Sequence, residues 1–175
     1  WDVGNKIKQE VAKHPNKICT IETGSKSAVI VLDDASEELA VNASVLSAFK
    51  TAGQRCVSAS RIIVGRKFFN RFLDRFIDTA RRIKVGDPFD SDVFYGPMIN
   101  QSAVHKGQTF NEKARGRFKV LLDRNNEPAP TTHGFWLRPF VYETEWKTPD
   151  DVLQEEPFSP HVAIVPVYDV EDAVR

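Results

Sequence analysis

Apolar residues recur along this chain at two periods, and their alternation divides it into helices and strands. Val3, Ile7 and Val11 stand four apart among lysines at 6, 8 and 13, which predicts a short amphipathic helix closed by His14-Pro15. Residues 17–21 alternate loosely up to Glu22 and predict a short strand with Glu22 at its tip. Thr23-Gly24-Ser25 then turns the chain. The unbroken apolar run from Ser27 to Leu32 suits a strand buried on both faces. Asp34, with Glu37 three residues on, fits a variant of the capping box. The helix it opens, about Glu37 to Lys50, carries Leu39, Val41, Ala43, Val45, Leu46, Ala48 and Phe49, so most of its circumference is apolar and it is expected to be largely buried.

A β-branched run, 59–64, predicts a strand over Arg61–Val64. The helix after it, about Arg66 to Ile83, has the clearest periodicity in the chain. Phe69, Phe72, Leu73, Phe76, Ile77, Ala80 and Ile83 form one stripe, and an aromatic stripe at helical spacing is core packing. Residues 85–100, broken by Gly86, Pro88, Gly96 and Pro97, predict an extended loop. A helix over 101–116, a strand over 119–122, a polar loop over 124–134, strands over 135–142 and 162–168 and a last helix from Val170 complete the reading. Strands alternating with helices imply an α/β fold with a mainly parallel sheet flanked by helices.

With 175 residues, the chain is long enough to bury a sizeable core as one domain by length. Lysines plus arginines number 24, as do aspartates plus glutamates, so no excess charge points to nucleic acid or to an anionic membrane as a partner. The longest apolar runs are too short to span a bilayer, and no signal peptide is legible. Two cysteines, Cys19 and Cys56, make no disulfide framework, and a cytoplasmic or otherwise reducing compartment is the economical expectation. The four histidines share no metal-ligand spacing, so no metal is expected.

The stretch Thr51-Ala52-Gly53-Gln54-Arg55-Cys56 joins a helix pattern to a strand pattern, where α/β proteins place reacting groups. A free cysteine is most often a small buried hydrophobe, which is the reading for Cys19. Cys56 differs because a second motif lies in register with it: Glu22 of Ile21-Glu22-Thr23-Gly24-Ser25-Lys26 precedes it by 56 − 22 = 34 residues. A third motif, Gln154-Glu155-Glu156-Pro157-Phe158-Ser159-Pro160, lies near the end. Together the three resemble the E-x-G-G-K, G-Q-x-C and E-E-x-F-G-P patterns of the aldehyde dehydrogenase superfamily, in order and spacing, and the resemblance runs from Val3-Gly4 to about Tyr168.

The resemblance implies a catalytic domain of that family, oxidising an aldehyde to a carboxylic acid with NAD or NADP. Cys56 would be the nucleophile and Glu22 the base that activates water against the thioester. Glu156 would hydrogen-bond the nicotinamide ribose, Phe158 would pack beside the nicotinamide, Gly24 would border the cofactor and Val57 the aldehyde pocket. Residues 1–21 would be the tail of a cofactor-binding domain lying mainly upstream, 22–175 a catalytic domain incomplete at its C-terminus, and the whole protein a homo-oligomer. The asparagine half of the oxyanion hole would also lie upstream of Trp1, so the chain is expected to fold but not to turn over aldehyde alone.

Ser25 and Ser159 depart from the pattern, each standing where a glycine is usual; if that glycine permits close approach or a positive φ, a Cβ there narrows the cofactor space. Thr23 in place of a commoner leucine is milder. Two alternatives stay open: an acylating enzyme that passes the acyl group to coenzyme A, against which Glu22 argues, and a non-catalytic protein that keeps the fold.

Overall fold

The computed structural model describes residues 1–131, 133–146 and 150–174. Its order is α1 (Asp2–Val11), β1 (Ala28–Val31), α2 (Glu37–Phe49), a 3₁₀ turn (Lys50–Gly53), β2 (Arg61–Gly65), α3 (Arg66–Arg81), α4 (Gln101–Arg115), β3 (Lys119–Asp123), β4 (Phe140–Glu143), α5 (Asp151–Gln154), β5 (His161–Val167) and α6 (Val170–Val174). The five strands form one sheet in the order β1-β2-β5-β4-β3. All neighbours are parallel except β3 and β4, which run antiparallel with a register shift between Val120 and Leu122. The expected α/β architecture with a mainly parallel sheet is therefore the observed one.

Alternation along each strand splits the core into two layers. Val31, Ile62, Val64, Val141, Val162 and Ile164 point to one side, where α2 brings Val41, Val45, Ala48 and Phe49, and α3 brings Phe68, Phe69, Phe72, Phe76 and Ala80. The α3 rings stack at helical spacing, Phe72 on Phe76 at 5.6 Å, and Phe76 meets Phe49 at 6.0 Å. The predicted stripe is thus the core, with Phe68 added to it. Phe140, Tyr142, Ala163 and Val165 point to the other side, against Phe110 and Ala114 of α4 and Val152 and Leu153 of α5. At the centre of the sheet β5 is buried on both faces except at Pro166, which lies beyond the last residue paired with β4 and so is not asked for an N–H there.

The structure corrects several expectations. Residues 17–21 form no strand: the segment has no ladder partner among the described residues, and Ile18 is 97% exposed. β1 is an edge strand with only Val31 buried, because an apolar run cannot say which place in the sheet its strand will take. The N-cap of α2 is Ser36, not Asp34, and Glu37 instead pairs with Arg71 at 2.6 Å and Arg75 at 3.6 Å on α3. α2 buries one face only, since Leu39 and Leu46 are exposed. The strand predicted over 135–142 begins only at Phe140; Phe135 bridges to Met98, and Pro139 lacks the N–H that pairing would need. Thr132 of the polar loop and Arg175 of the last helix lie outside the described residues.

Candidate active site

The loop that carries Cys56 is shaped by its backbone. α2 ends at Phe49, and the next turn holds Thr51 (φ 59°), Ala52 (φ 55°) and Gly53 (φ 67°) in the left-handed region one after another. Each non-glycine residue there costs about 1–2 kcal/mol, so the surroundings must impose it. They do. Ala52 is buried, and a Cβ on Gly53 would fall 2.3 Å from the Ser159 carbonyl oxygen. The Gln54 side chain accepts from the Ile99 N–H at 3.0 Å, Lys50 donates to the Phe94 carbonyl at 3.1 Å, and the Ala59 N–H closes onto the Ser47 carbonyl at 3.1 Å. Cys56 emerges from this frame exposed, and Val57 beside it is exposed too.

The glutamate segment runs beside this loop. Ser27 donates its hydroxyl to the Cys56 carbonyl at 3.1 Å, and Ser25 and Ser27 share a hydrogen bond of 2.7 Å. Because Ser27 donates onward, Ser25 is the donor of that pair. Glu22 is exposed and lines a cavity of about 640 Å³ with Trp1, Gly4, Ile7, Thr20 and Thr23. Its presentation comes from close packing rather than from a strand: a Cβ on Gly4 of α1 would fall 2.5 Å from Thr23 and 2.7 Å from Ile21, the residues on either side of Glu22. Cys19 is half-buried and borders a second, smaller cavity with Ile21 and Thr23.

The third segment closes the group. α5 is anchored by Lys113 and Arg117, which pair with Asp151 at 2.6 and 2.5 Å, and Arg117 also reaches Asp150 at 3.0 Å. The hydrogen bonds from Lys113 and Arg117 hold the Asp151 carboxyl far below the usual carboxylate range. Glu156 follows α5, with its carboxylate 2.9 Å from where a Cβ on Gly24 (φ 143°) would stand. Phe158 adopts φ 51° and leaves 38% of its surface exposed. The segments that carry the three motifs are thus in mutual contact: Ser27, which follows the Glu22 motif, to Cys56, Gly24 to Glu156, and Gly53 to Ser159.

Neither serine that departs from the glycine pattern has a positive φ; within the motifs that geometry falls on Gly24, Thr51, Ala52, Gly53 and Phe158. Ser25 supplies the first hydroxyl of the pair behind Cys56. Ser159 is buried against α4, where Gly107 makes room: a Cβ on Gly107 would stand 3.0 Å from the Ser159 Cβ.

Behind the motifs lies a polar cluster that sequence reasoning missed. Lys26 donates to the Val152 carbonyl at 2.9 Å, and Arg61 donates to the Lys26 carbonyl. Burial brings the Lys26 pKa down to about 7. His161 stacks on Phe140 with centroids 5.4 Å apart and pairs its Nδ1 with Asn111 Oδ1 at 2.7 Å. Lys26 stood inside a quoted motif; Arg61 and Asn111 carried no sequence signal. Among the described residues no group of three or more His, Cys, Asp or Glu could hold a metal, and no helix is long and apolar enough to cross a membrane.

An α/β sheet carries an exposed cysteine on a fixed turn, a segment bearing an exposed glutamate hydrogen-bonded to it through Ser27, and an acidic–aromatic segment against both. The aldehyde dehydrogenase family model matches residues 1–175, and the chain belongs to that family. It is 32% identical over 179 aligned positions to a 1-pyrroline-5-carboxylate dehydrogenase of Geobacillus sp. (strain WCH70), covering 99% of this chain and 34% of that protein. Among solved structures, PnpE from Pseudomonas sp. WBC-3 superposes with a TM-score of 0.89 at 32% identity, over 99% of this chain and 35% of its own. Betaine aldehyde dehydrogenase from Staphylococcus aureus in complex with NAD+ does so with a TM-score of 0.87 at 27% identity, over 99% and 34%. The chain spans about a third of the length of the curated relatives it matches.

Proposed function

We propose that this chain is the catalytic portion of an NAD(P)-dependent aldehyde dehydrogenase, with residues 1–21 belonging to the cofactor-binding part and 22–175 to the catalytic part. The observation that carries the reading is the convergence of the Glu22, Cys56 and Glu156 segments through the contacts described above. The cofactor fit rests on the open cradle at Gly24: the Glu156 carboxylate borders it, an acceptor suited to ribose hydroxyls, and the half-exposed Phe158 ring offers a face for the nicotinamide. The chemistry supplied by a bound NAD or NADP is acceptance of the hydride that leaves the thiohemiacetal.

The chain's own residues do the rest. The Cys56 thiolate adds to the aldehyde carbon, and the Cys56 N–H is the donor this reading gives to the oxygen that takes up the charge. After the thioester has formed on Cys56, Glu22 takes a proton from water as the oxygen attacks the acyl carbon. The C–S bond breaks, which releases the carboxylic acid and regenerates the Cys56 thiolate, and Glu22 is left holding the proton. Val57 borders the side from which the aldehyde approaches. The test is made on the gene product that carries this chain. Glu22→Gln should keep the first-turnover burst of reduced cofactor, cut the steady rate on the order of a hundredfold, and leave acyl mass on Cys56 in the intact-protein spectrum. Acyl mass on Cys19, or an unchanged steady rate, would sink the assignment.

A further inference from the structure

The proposed reaction leaves Lys26 without a task, yet its contacts reach three stretches of chain. Its ammonium donates to the Val152 carbonyl in α5, immediately before Glu155-Glu156. Its backbone carbonyl accepts from Arg61 on β2. The residues on either side, Ser25 and Ser27, are bonded to each other, and Ser27 continues to Cys56. A half-buried ammonium with a carbonyl partner is an expensive staple, because burial of an ion costs more than one hydrogen bond returns. An apolar side chain would pack against Phe110, whose ring centroid lies 6.0 Å from Nζ, without that cost. What the amine adds over an apolar side chain is its charge and its hydrogen bond to Val152.

We propose that Lys26 is a positioning residue whose ammonium holds the Glu155-Glu156 segment against the Glu22–Ser27 segment, and so sets where the Glu156 carboxylate meets a ribose. The proposal rests on the reading of this chain as an aldehyde dehydrogenase catalytic portion. Charges face Lys26 from every side. Glu155 and Glu156 favour the ammonium, Arg61 on β2 and Lys106 on α4 oppose it, and the buried His161 on β5 feels it as a positive neighbour. Burial outweighs the two carboxylates and brings the amine to about 7, so the hold weakens as pH rises through neutrality.

Two measurements decide it, one without cofactor. On residues 1–175, acylation of the Lys26 amine by a small activated ester is followed by peptide mass spectrometry across pH. Glu156→Gln removes a carboxylate that favours the ammonium, so at about pH 6.5 Lys26 should acylate about twofold faster or more; an unchanged rate overturns the coupling. In the gene product that carries the chain, Lys26→Met should raise KM for NAD(P) about tenfold and leave kcat within about threefold. It should also erase an inflection near pH 7 in kcat/KM for the cofactor. Lys26→Arg should recover most of the KM without the inflection. An unchanged cofactor KM with a lowered melting temperature would mark a purely structural lysine and overturn the proposal. A wild-type protein that oxidises no aldehyde would count against the enzymatic reading instead, and the acylation result would still decide the role of Lys26 in coupling the two segments.

Discussion

The two faces of the sheet share their strands and differ in what they tolerate. Toward α2 and α3 the strands present aliphatic side chains to a ladder of phenylalanines, and the layer is held by area and close contact. Toward α4 and α5 the same strands present Phe140, Tyr142, His161 and Ala163, with Lys26, Arg61 and Asn111 woven among them. His161 is buried with Nδ1 paired, while its Nε2 and the Tyr142 hydroxyl have no hydrogen-bond partner among the described residues. An apolar layer answers to lost volume, a mixed one to lost partners and to pH. The candidate site draws its second and third motifs from the mixed side, through Lys26 and the segment after α5.

The largest effect is expected in the apolar layer. Phe76→Ala, at a fully buried ring in contact with Phe49 and Phe72, should cost about 3–5 kcal/mol in denaturant unfolding of residues 1–175. A cost near 1 kcal/mol would show that α3 does not carry the layer. In the mixed layer, Asn111→Ala strands the His161 Nδ1–H and should cost about 1–3 kcal/mol by the same measurement.

The pH dependence sharpens the contrast further. Burial, with Lys26 adding to it, pushes the His161 pKa well below 6.5. The unfolded chain then binds the proton that the folded chain refuses. Stability from this group is therefore complete above pH 6.5 and is lost as pH falls below it, by up to ~1.4 kcal/mol per pH unit. Unfolding curves between about pH 6.5 and 5 should show that slope, and His161→Phe should flatten it. The smallest effect belongs to Tyr142→Phe. Its hydroxyl makes no hydrogen bond to a described residue, so removal should change stability by less than about 0.5 kcal/mol. A loss several times larger would mean that the hydroxyl is paired in solution.

Most elements could be read from periodicity, because helix and strand spacing are local properties of the chain. The stripe of Phe69, Phe72 and Phe76 became the core of α3, and the run 162–168 became the central strand. What escaped depends on distant neighbours. Residues 17–21 alternate like a strand, but a strand requires a partner edge, and nothing in the spacing supplies one. The run 27–32 looked central and lies at the margin, since sheet order is decided by how helices cross over. At the site, the motifs named Glu22, Cys56 and Glu156, and the structure brings their segments together. Ser25 and Ser159 read as losses; the structure gives one a hydrogen bond and the other a place against Gly107. The left-handed conformation of Thr51 and Ala52 was beyond reading, because neither residue type advertises it.

That run of left-handed residues bears on how the Cys56 loop behaves before anything binds. A loop resting in an ordinary turn has many nearby conformations of similar energy and must be gathered into one of them when a ligand arrives. Thr51, Ala52 and Gly53 sit in a narrow well that contacts from α2, the loop at Ile99 and the segment at Ser159 enforce jointly. Departing from it means breaking those contacts together, not drifting along a shallow surface. Little ordering is then left for the moment a ligand arrives, and the loss of conformational freedom that weakens binding to a floppy loop has already been met during folding.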